Sequence, residues 1–382
     1  MVCSELFGKI DELNEEYISV WETVCNIESP TKYKEGVDSV GNYFAERAKE
    51  CGWQVEIFNQ PIAGNVVCIT MNPQSAAQPI TLSGHIDTVH PVGSFGSPAV
   101  RRDEKNIYGP GVMDCKGGVV AAFFAMDALQ KCGFKSRPVR LLLQTDEECN
   151  SSLSNKETIQ YICRTAKDSV AFLNCESIRG DSAVLERKGI IRYRFTVKGK
   201  EIHASRCPEG ASAIAEAAHK ILQLEEMKDE NGLTCSCGII NGGTAENAVP
   251  DKCVFFADIR FSTLKEMEEV QRKVQQIAQG SVIPGCSCEA EQTGYRPSME
   301  LCDKNIQLLE KMNKIYAENG LPALKARKSL GGSDAADVTE SGIPCVDSIG
   351  VAGDYIHTIK EYGVLESLAQ AAKRIAAVVY CI

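Results

Sequence analysis

The sequence has no uncharged apolar run long enough to cross a bilayer. The longest, such as residues 117–126, fall well short of the roughly 18 to 20 residues that a spanning helix needs. Basic charge is not in excess either: 41 Lys and Arg against 51 Asp and Glu leave a net charge of -10, which argues against nucleic acid or an anionic membrane as a partner. Cys-x-x-Cys spacing is absent despite 18 cysteines. The closest pairs, Cys235/Cys237 and Cys286/Cys288, set both thiols on one face of a strand, which disfavours a structural zinc-thiolate site. Scattered through the chain, the cysteines read as reduced thiols of a reducing compartment. Residues 1–8 hold no basic stretch leading into an apolar core, so no secretory signal is readable and the expected location is the cytoplasm. Repeats and low-complexity tracts are missing. A composition of 44% hydrophobic and 24% charged residues argues against a disordered chain, a collagen-like repeat and a coiled-coil rod. At 382 residues the chain exceeds what one core usually holds, so two or three domains are expected.

Apolar, β-branched runs at 66–71, 80–85, 139–145, 170–174 and 344–349 predict strands. Apolar residues spaced by three and four at 37–51, 117–132 and 157–167 predict helices between several of them. This alternation predicts an α/β domain, a mostly parallel sheet flanked by helices on both faces. Residues 188–297 read differently. Strand 190–197, helix 211–227, strands 234–240 and 252–261, helix 264–279 and strand 286–293 follow the βαββαβ order of a ferredoxin-like unit. The α/β pattern then resumes with helix 303–319, a Gly-Gly turn at Gly331, strand 344–349 and helix 365–380. The expected division is a large domain from 1–187 and 298–382, with a small domain inserted at 188–297.

Only five histidines occur, and one ends an apolar strand in Ser83-Gly84-His85-Ile86-Asp87-Thr88. The period of two puts His85 and Asp87 on one side, where the carboxylate can orient the imidazole. Alone, this stretch suits a surface histidine at a strand end as well as a supported metal ligand. Other strand ends add to it: 139–145 runs into Asp146-Glu147-Glu148, 170–174 into Cys175-Glu176, and 344–349 precedes His357. In open α/β sheets the carboxyl ends of parallel strands line the ligand crevice, so such side chains can converge from distant positions. A glycine-rich turn at 108–118 leads into an apolar helix but matches neither Gly-x-Gly-x-x-Gly nor the Walker pattern. Its Asp114 suits a carboxylate that bridges two cations better than one facing a phosphate. Two histidines and three acids, with no need for thiolate, suit a hydrolytic site for two divalent ions, zinc first and cobalt or manganese as substitutes. A further acid beside them can act on water.

These motifs resemble the dizinc metallopeptidase family of glutamate carboxypeptidases, aminoacylases, acetylornithine deacetylase and succinyl-diaminopimelate desuccinylase, over nearly the whole chain from His85 to His357-Thr358. The resemblance implies one metal held by His85, Asp114 and Glu176 and a second by Asp114, Glu148 and His357. It implies Glu147 as general base, Asp87 as the support of His85, and a non-proline cis peptide after Asp114. In Lys200-Glu201-Ile202-His203-Ala204-Ser205, His203 matches a histidine that stabilises the oxyanion in a partner subunit's site, which implies a homodimer joined through the inserted domain. Asn247 falls in a second signature at 241–251. Arg260 matches the substrate-carboxylate arginine, and Gly331-Gly332-Ser333-Asp334 the loop whose amides help to bind that carboxylate.

The expected activity is hydrolysis of the amide bond of a small peptide or N-acyl amino acid with a free C-terminal carboxylate. Glu176 and the Gly350-Val351-Ala352-Gly353 run tilt the resemblance toward the glutamate carboxypeptidase branch. An N-acyl-amino-acid deacylase or desuccinylase is the alternative. A binding protein without catalysis would have lost a ligand or the base, and none is missing. Cys115, Cys149 and Cys175 flank the ligand positions and read as small buried filler; His90 and His219 match no motif, and His219 is expected on a helix face.

Overall fold

Strands rich in branched and leucine side chains form the middle of an eight-stranded sheet in the computed structural model, which describes residues 3–230 and 232–382. The strand order is Gln54–Phe58, Val66–Met71, Val139–Gln144, Ile80–His85, Ala171–Asn174, Cys345–Asp347, Ser182–Arg187 and Lys325–Ser329. At the centre the strands run parallel: Ile80–His85 lies between Val139–Gln144 and Ala171–Asn174, and Cys345–Asp347 follows. Antiparallel pairs extend the sheet through Val66–Met71 and Gln54–Phe58 on one flank and Ser182–Arg187 on the other. The sheet is therefore mixed, with a parallel centre. Every residue of Ile80–His85 and Ala171–Asn174 is buried. Layers on both faces favour such continuous apolar runs over an alternating pattern.

The apolar run at 117–126 belongs to helix Lys116–Lys131, buried from Lys116 to Leu129. A helix that is apolar all round lies inside a core or a membrane. Here it is core: Phe123 and Phe124 pack in one cluster with Tyr17, Trp21 and Phe44, Tyr17 stacking on Phe124 at 4.1 Å. Among the described residues no helix is long and apolar enough to cross a membrane. Gln54–Phe58 and Ser182–Arg187 were not among the expected strands; the first is an edge strand with no buried residue, so it carries no apolar run. The strand expected at 344–349 stops at Asp347, because Ser348 takes a φ of 62°.

A second, four-stranded sheet joins distant hairpins in the order Gly353–Asp354, Tyr362–Val364, Asn106–Tyr108 and Arg101–Arg102. It brings the turn that carries His357 to the turn that carries Asp114.

Two compact units emerge: Met1–Glu186 with Leu301–Lys328 and Ser333–Ile382, and Arg187–Glu300 with Ser329–Gly332. The smaller unit has the βαββαβ order, with its strands arranged Thr234–Gly242, Lys252–Phe261, Gly189–Lys198 and Ser287–Arg296, all antiparallel. Burial alternates along Gly189–Lys198 and Lys252–Phe261, the period expected of a sheet with one covered face. On that face Phe195 stacks on Phe255, within a core shared with helices Ala213–Glu225 and Leu264–Gln279. Ser212 and Thr263 cap those helices by accepting from the amides of Ala215 and Glu266.

Candidate metal centre

Four of the candidate ligands follow from where central strands and turns end. His85 closes strand Ile80–His85, Glu148 lies in the turn Glu147–Cys149 after Val139–Gln144, and Glu176 follows Ala171–Asn174 by one residue beyond Cys175. Asp114 immediately precedes the residues that open helix Lys116–Lys131. His85 Nε2 lies 3.1 Å from Asp114 Oδ1 and 3.7 Å from Glu176 Oε1. The other Asp114 oxygen, Oδ2, lies 3.2 Å from His357 Nε2, which is 3.3 Å from Glu148 Oε2. One carboxylate thus spans two imidazoles, with Glu176 on the His85 side and Glu148 on the His357 side.

The support is as specific as the cluster. His85 Nδ1 lies 3.0 Å from the backbone oxygen of Asp87 and 3.4 Å from its Oδ1. The buried Asp87 carboxylate also accepts from Thr31 Oγ1 at 2.7 Å and from the amides of Glu147 and Glu148 at 3.2 Å each. Asp87 therefore orients the imidazole and fixes the turn of the two glutamates together. Asp146 anchors the same turn by accepting from Ser154 N and Thr158 Oγ1. Gly118 has a packing reason to be glycine: a Cβ there would stand 1.8 Å from the Cys175 carbonyl oxygen, so its absence lets the helix start against the residue before Glu176. The Asp114–Cys115 peptide is cis. Lys116, fully buried, donates to the carbonyls of Ile27 and Val24 where helix Ser4–Asn26 ends, and burial pulls its pKa down to about 8.

Ionisation is mutually adjusted. Hydrogen bonds with Asp114 and Glu148 raise His357 to about 10. Burial, with Asp114 and Glu147 nearby, raises Glu148 to about 7. Burial also opposes the charge on Asp114, but hydrogen bonds from His357 and His85 outweigh it and hold that carboxyl well below its usual range. For His85, burial opposes the charge, yet the Cys115 sulfur and the carboxylates of Asp114, Asp87 and Glu176 raise its pKa well above normal. Here the carboxylates and the raised imidazoles balance one another; a divalent ion would take the place of the imidazole protons, because metal ligands bind deprotonated. Oxygen and imidazole donors, with a carboxylate shared between two halves, fit zinc, cobalt or manganese. Cys115 Sγ also approaches His85 and Glu176 closely enough for a ligand set. Its sulfur accepts from the His85 amide at 3.3 Å, and burial pushes its thiol well up.

The remaining candidates sit in the smaller unit. His203 and Asn247 are exposed and adjacent: His203 pairs with Ala248 across a short ladder, and Ala204 N donates to Asn247 O at 2.8 Å. His203 Nδ1 accepts from Ser205 N at 3.2 Å, which leaves the proton of a neutral ring on Nε2. Arg260 Nε donates to Asp258 Oδ1 at 2.6 Å, and Arg192 Nε donates to the other oxygen at 2.8 Å. Arg187 Nη1 donates to the carbonyls of Gly331 at 3.1 Å and Gly332 at 3.3 Å. His219 is an exposed helix residue. The sequence reading missed Thr31, Asp146, Asp258, Arg187, His90 and Glu361, since their partners lie at long range or carry no motif.

The model of peptidase family M20/M25/M40 matches residues 81–380. The chain is 26% identical over 361 residues to carboxypeptidase G2 of Pseudomonas sp. (strain RS-16), covering 93% of this chain and 86% of that protein. It is 25% identical over 382 aligned residues to succinyl-diaminopimelate desuccinylase of Rickettsia felis, covering 92% and 96%. Among solved structures, aminopeptidase PepT from Bacillus cereus superposes with a TM-score of 0.80 at 22% identity, covering 96% of this chain and 98% of that one. The metallo-carboxypeptidase Sso-CP2 from Sulfolobus solfataricus gives 0.75 at 17% identity with the same coverage. These two superpositions show a common fold.

Proposed function

The chain belongs to peptidase family M20/M25/M40 and is a metallohydrolase, and on that premise we propose that it cleaves the amide bond of a small peptide or N-acyl amino acid with a free C-terminal carboxylate, as a carboxypeptidase of the glutamate carboxypeptidase type. The observation that carries the proposal is the single Asp114 carboxylate set between His85 and His357, each with its own glutamate. His85, Asp114 and Glu176 would hold one divalent ion and Asp114, Glu148 and His357 a second, zinc foremost. Such ions supply Lewis acidity, lowering the pKa of water and polarising a carbonyl. Glu147, buried beside the cluster and not assigned as a ligand, takes the proton from the attacking water and returns it to the leaving amine. Asp87 keeps His85 in register. His203, with Nε2 free to donate, steadies the developing oxyanion in the partner subunit of a homodimer, next to Asn247. Arg260 pairs with the substrate carboxylate in fork geometry, and Gly331 and Gly332 offer backbone amides to the same group.

Metal-free protein reconstituted with zinc, cobalt or manganese and assayed on dipeptides and N-acyl amino acids tests this reading. The expected result is turnover with two ions per chain, lost when the substrate's carboxylate is blocked. Similarity to the desuccinylases favours a second reading, hydrolysis of a succinylated diamino acid. A preference for that substrate over a peptide ending in glutamate would select it.

A further inference from the structure

Glu361 belongs to no motif, is 1% exposed, and stands four residues after His357. The pairing of Tyr362–Val364 with Asn106–Tyr108 sets it opposite the glycine-rich turn, where Gly109 N donates to its backbone oxygen at 3.4 Å. Its side chain then meets the turn from within. Oε1 accepts from Met113 N at 2.9 Å and Asp114 N at 3.1 Å. Oε2 accepts from Gly111 N at 3.3 Å and lies 3.0 Å from Nε2 of the buried His90. Each oxygen thus faces two donors. Among the described residues no lysine or arginine forms an ion pair with it, so its charge is met by three amides and an imidazole.

We propose that Glu361, steadied by His90, is a positioning residue that locks the backbone of the bridging Asp114 to the turn bearing His357. The proposal rests on the two-metal reading given above. Amides buried on a tight turn need acceptors, and packing alone cannot supply them. A carboxylate rooted in the other ligand's turn supplies the acceptors and couples the two positions, so that Asp114 cannot shift without moving the His357 turn. Gly111, at a φ of 71°, lets the turn wrap around the carboxylate. His90 packs edge-on against Phe95, which fixes its ring plane while Nε2 points at Glu361.

The test uses full-length protein carrying Glu361→Gln, Glu361→Ala or His90→Gln, prepared free of metal. Three quantities are read: the melting temperature without metal, cobalt affinity with its visible spectrum, and kcat separately from KM. Glu361→Gln is expected to weaken cobalt binding by about 10- to 100-fold, to alter the spectrum and to lower kcat with KM little changed, as loss of a group orienting metal ligands does. Glu361→Ala should exceed it and His90→Gln should fall short of it in the same direction. A lowered melting temperature with wild-type cobalt affinity, spectrum and kcat would make Glu361 a purely structural residue and overturn the proposal. Should Glu361→Gln not fold, His90→Gln decides: wild-type values in it overturn the proposal. Wild-type protein that binds no pair of ions would instead sink the two-metal reading, and this inference with it, whereas two ions bound equally by wild type and variants sink this inference alone.

Discussion

The larger unit brings its candidate groups face to face, His85, Asp114 and Glu147 buried and His357 exposed at the rim, whereas the candidates of the smaller unit are exposed or part-buried. His85, Asp114 and Glu147 are each less than one-tenth exposed, and every proposed ligand has another within 3.7 Å. His203 and Asn247 lie at the surface of the smaller unit, and Arg260 is part-buried against Asp258. Imidazole nitrogens and carboxylate oxygens converging within 3.7 Å of one another are a donor set suited to divalent cations. An exposed histidine with one nitrogen occupied by its own turn points instead to a task outside its own unit. The proposed function assigns the bond-breaking groups to the larger unit and His203 and Arg260 of the smaller unit to the substrate.

The largest expected effect attacks the buried side of this contrast. Asp114→Ala removes the one carboxylate common to both halves, so metal analysis should find the ion pair lost and turnover should fall to background, about 10⁶-fold or more. Retention of two ions by this variant would break the bridging assignment. Glu147→Gln comes next. It should keep both ions and lose about 10²- to 10⁴-fold in kcat, the usual contribution of a general base. If that variant lost its metals, Glu147 would be a ligand; if it kept the wild-type rate, it would not be the base.

The same contrast explains what the sequence disclosed. Residues at the ends of central strands announce themselves, since an apolar run that stops at His85 or before Glu147 and Glu176 marks a position on the crevice without knowledge of the fold. The βαββαβ unit was equally legible through the order of its apolar strand and helix patterns. Edge strand Gln54–Phe58 was not, because a short edge strand with no fully buried residue carries no continuous apolar run. Glu361 and His90 escaped for another reason: they are 271 positions apart, and the other donors to Glu361 are backbone amides, which every residue type but proline carries. Asp258 looked like an ordinary strand residue because its meaning lies in Arg192 and Arg260, one of them on a neighbouring strand.

A sharper test of the exposed side uses His203→Ala, which should retain both ions and lose about 10²- to 10³-fold in kcat, the range for removal of one oxyanion donor. If the histidine serves the partner subunit, an equal mixture of His203→Ala and Glu147→Ala chains should regain activity. About half of randomly assorted dimers are hybrids with one complete site, so recovery should approach about a quarter of the wild-type value. No recovery after demonstrated subunit exchange would place His203 in its own subunit's chemistry or outside it.

The smallest effect concerns Arg260, whose guanidinium keeps one edge on Asp258 and has the rest of its donors left for a ligand. Asp258 stays ionised at neutral pH: burial works against its charge, but Arg192 and Arg260 together hold its carboxyl below the usual range. One acid between two arginines leaves a net positive charge, the right sign for a substrate carboxylate. Arg260→Ala should therefore lower kcat/KM by about 10- to 100-fold, mostly through KM, as loss of hydrogen bonds to a charged group does. Asp258→Asn should do less, because it loosens the arginine without removing it. The discriminating measurement is a substrate pair that differs only in a free or amidated C-terminus. Wild type should favour the free acid strongly, and Arg260→Ala should treat the two nearly alike; an undiminished preference in the variant would move carboxylate recognition to the Gly331-Gly332 amides.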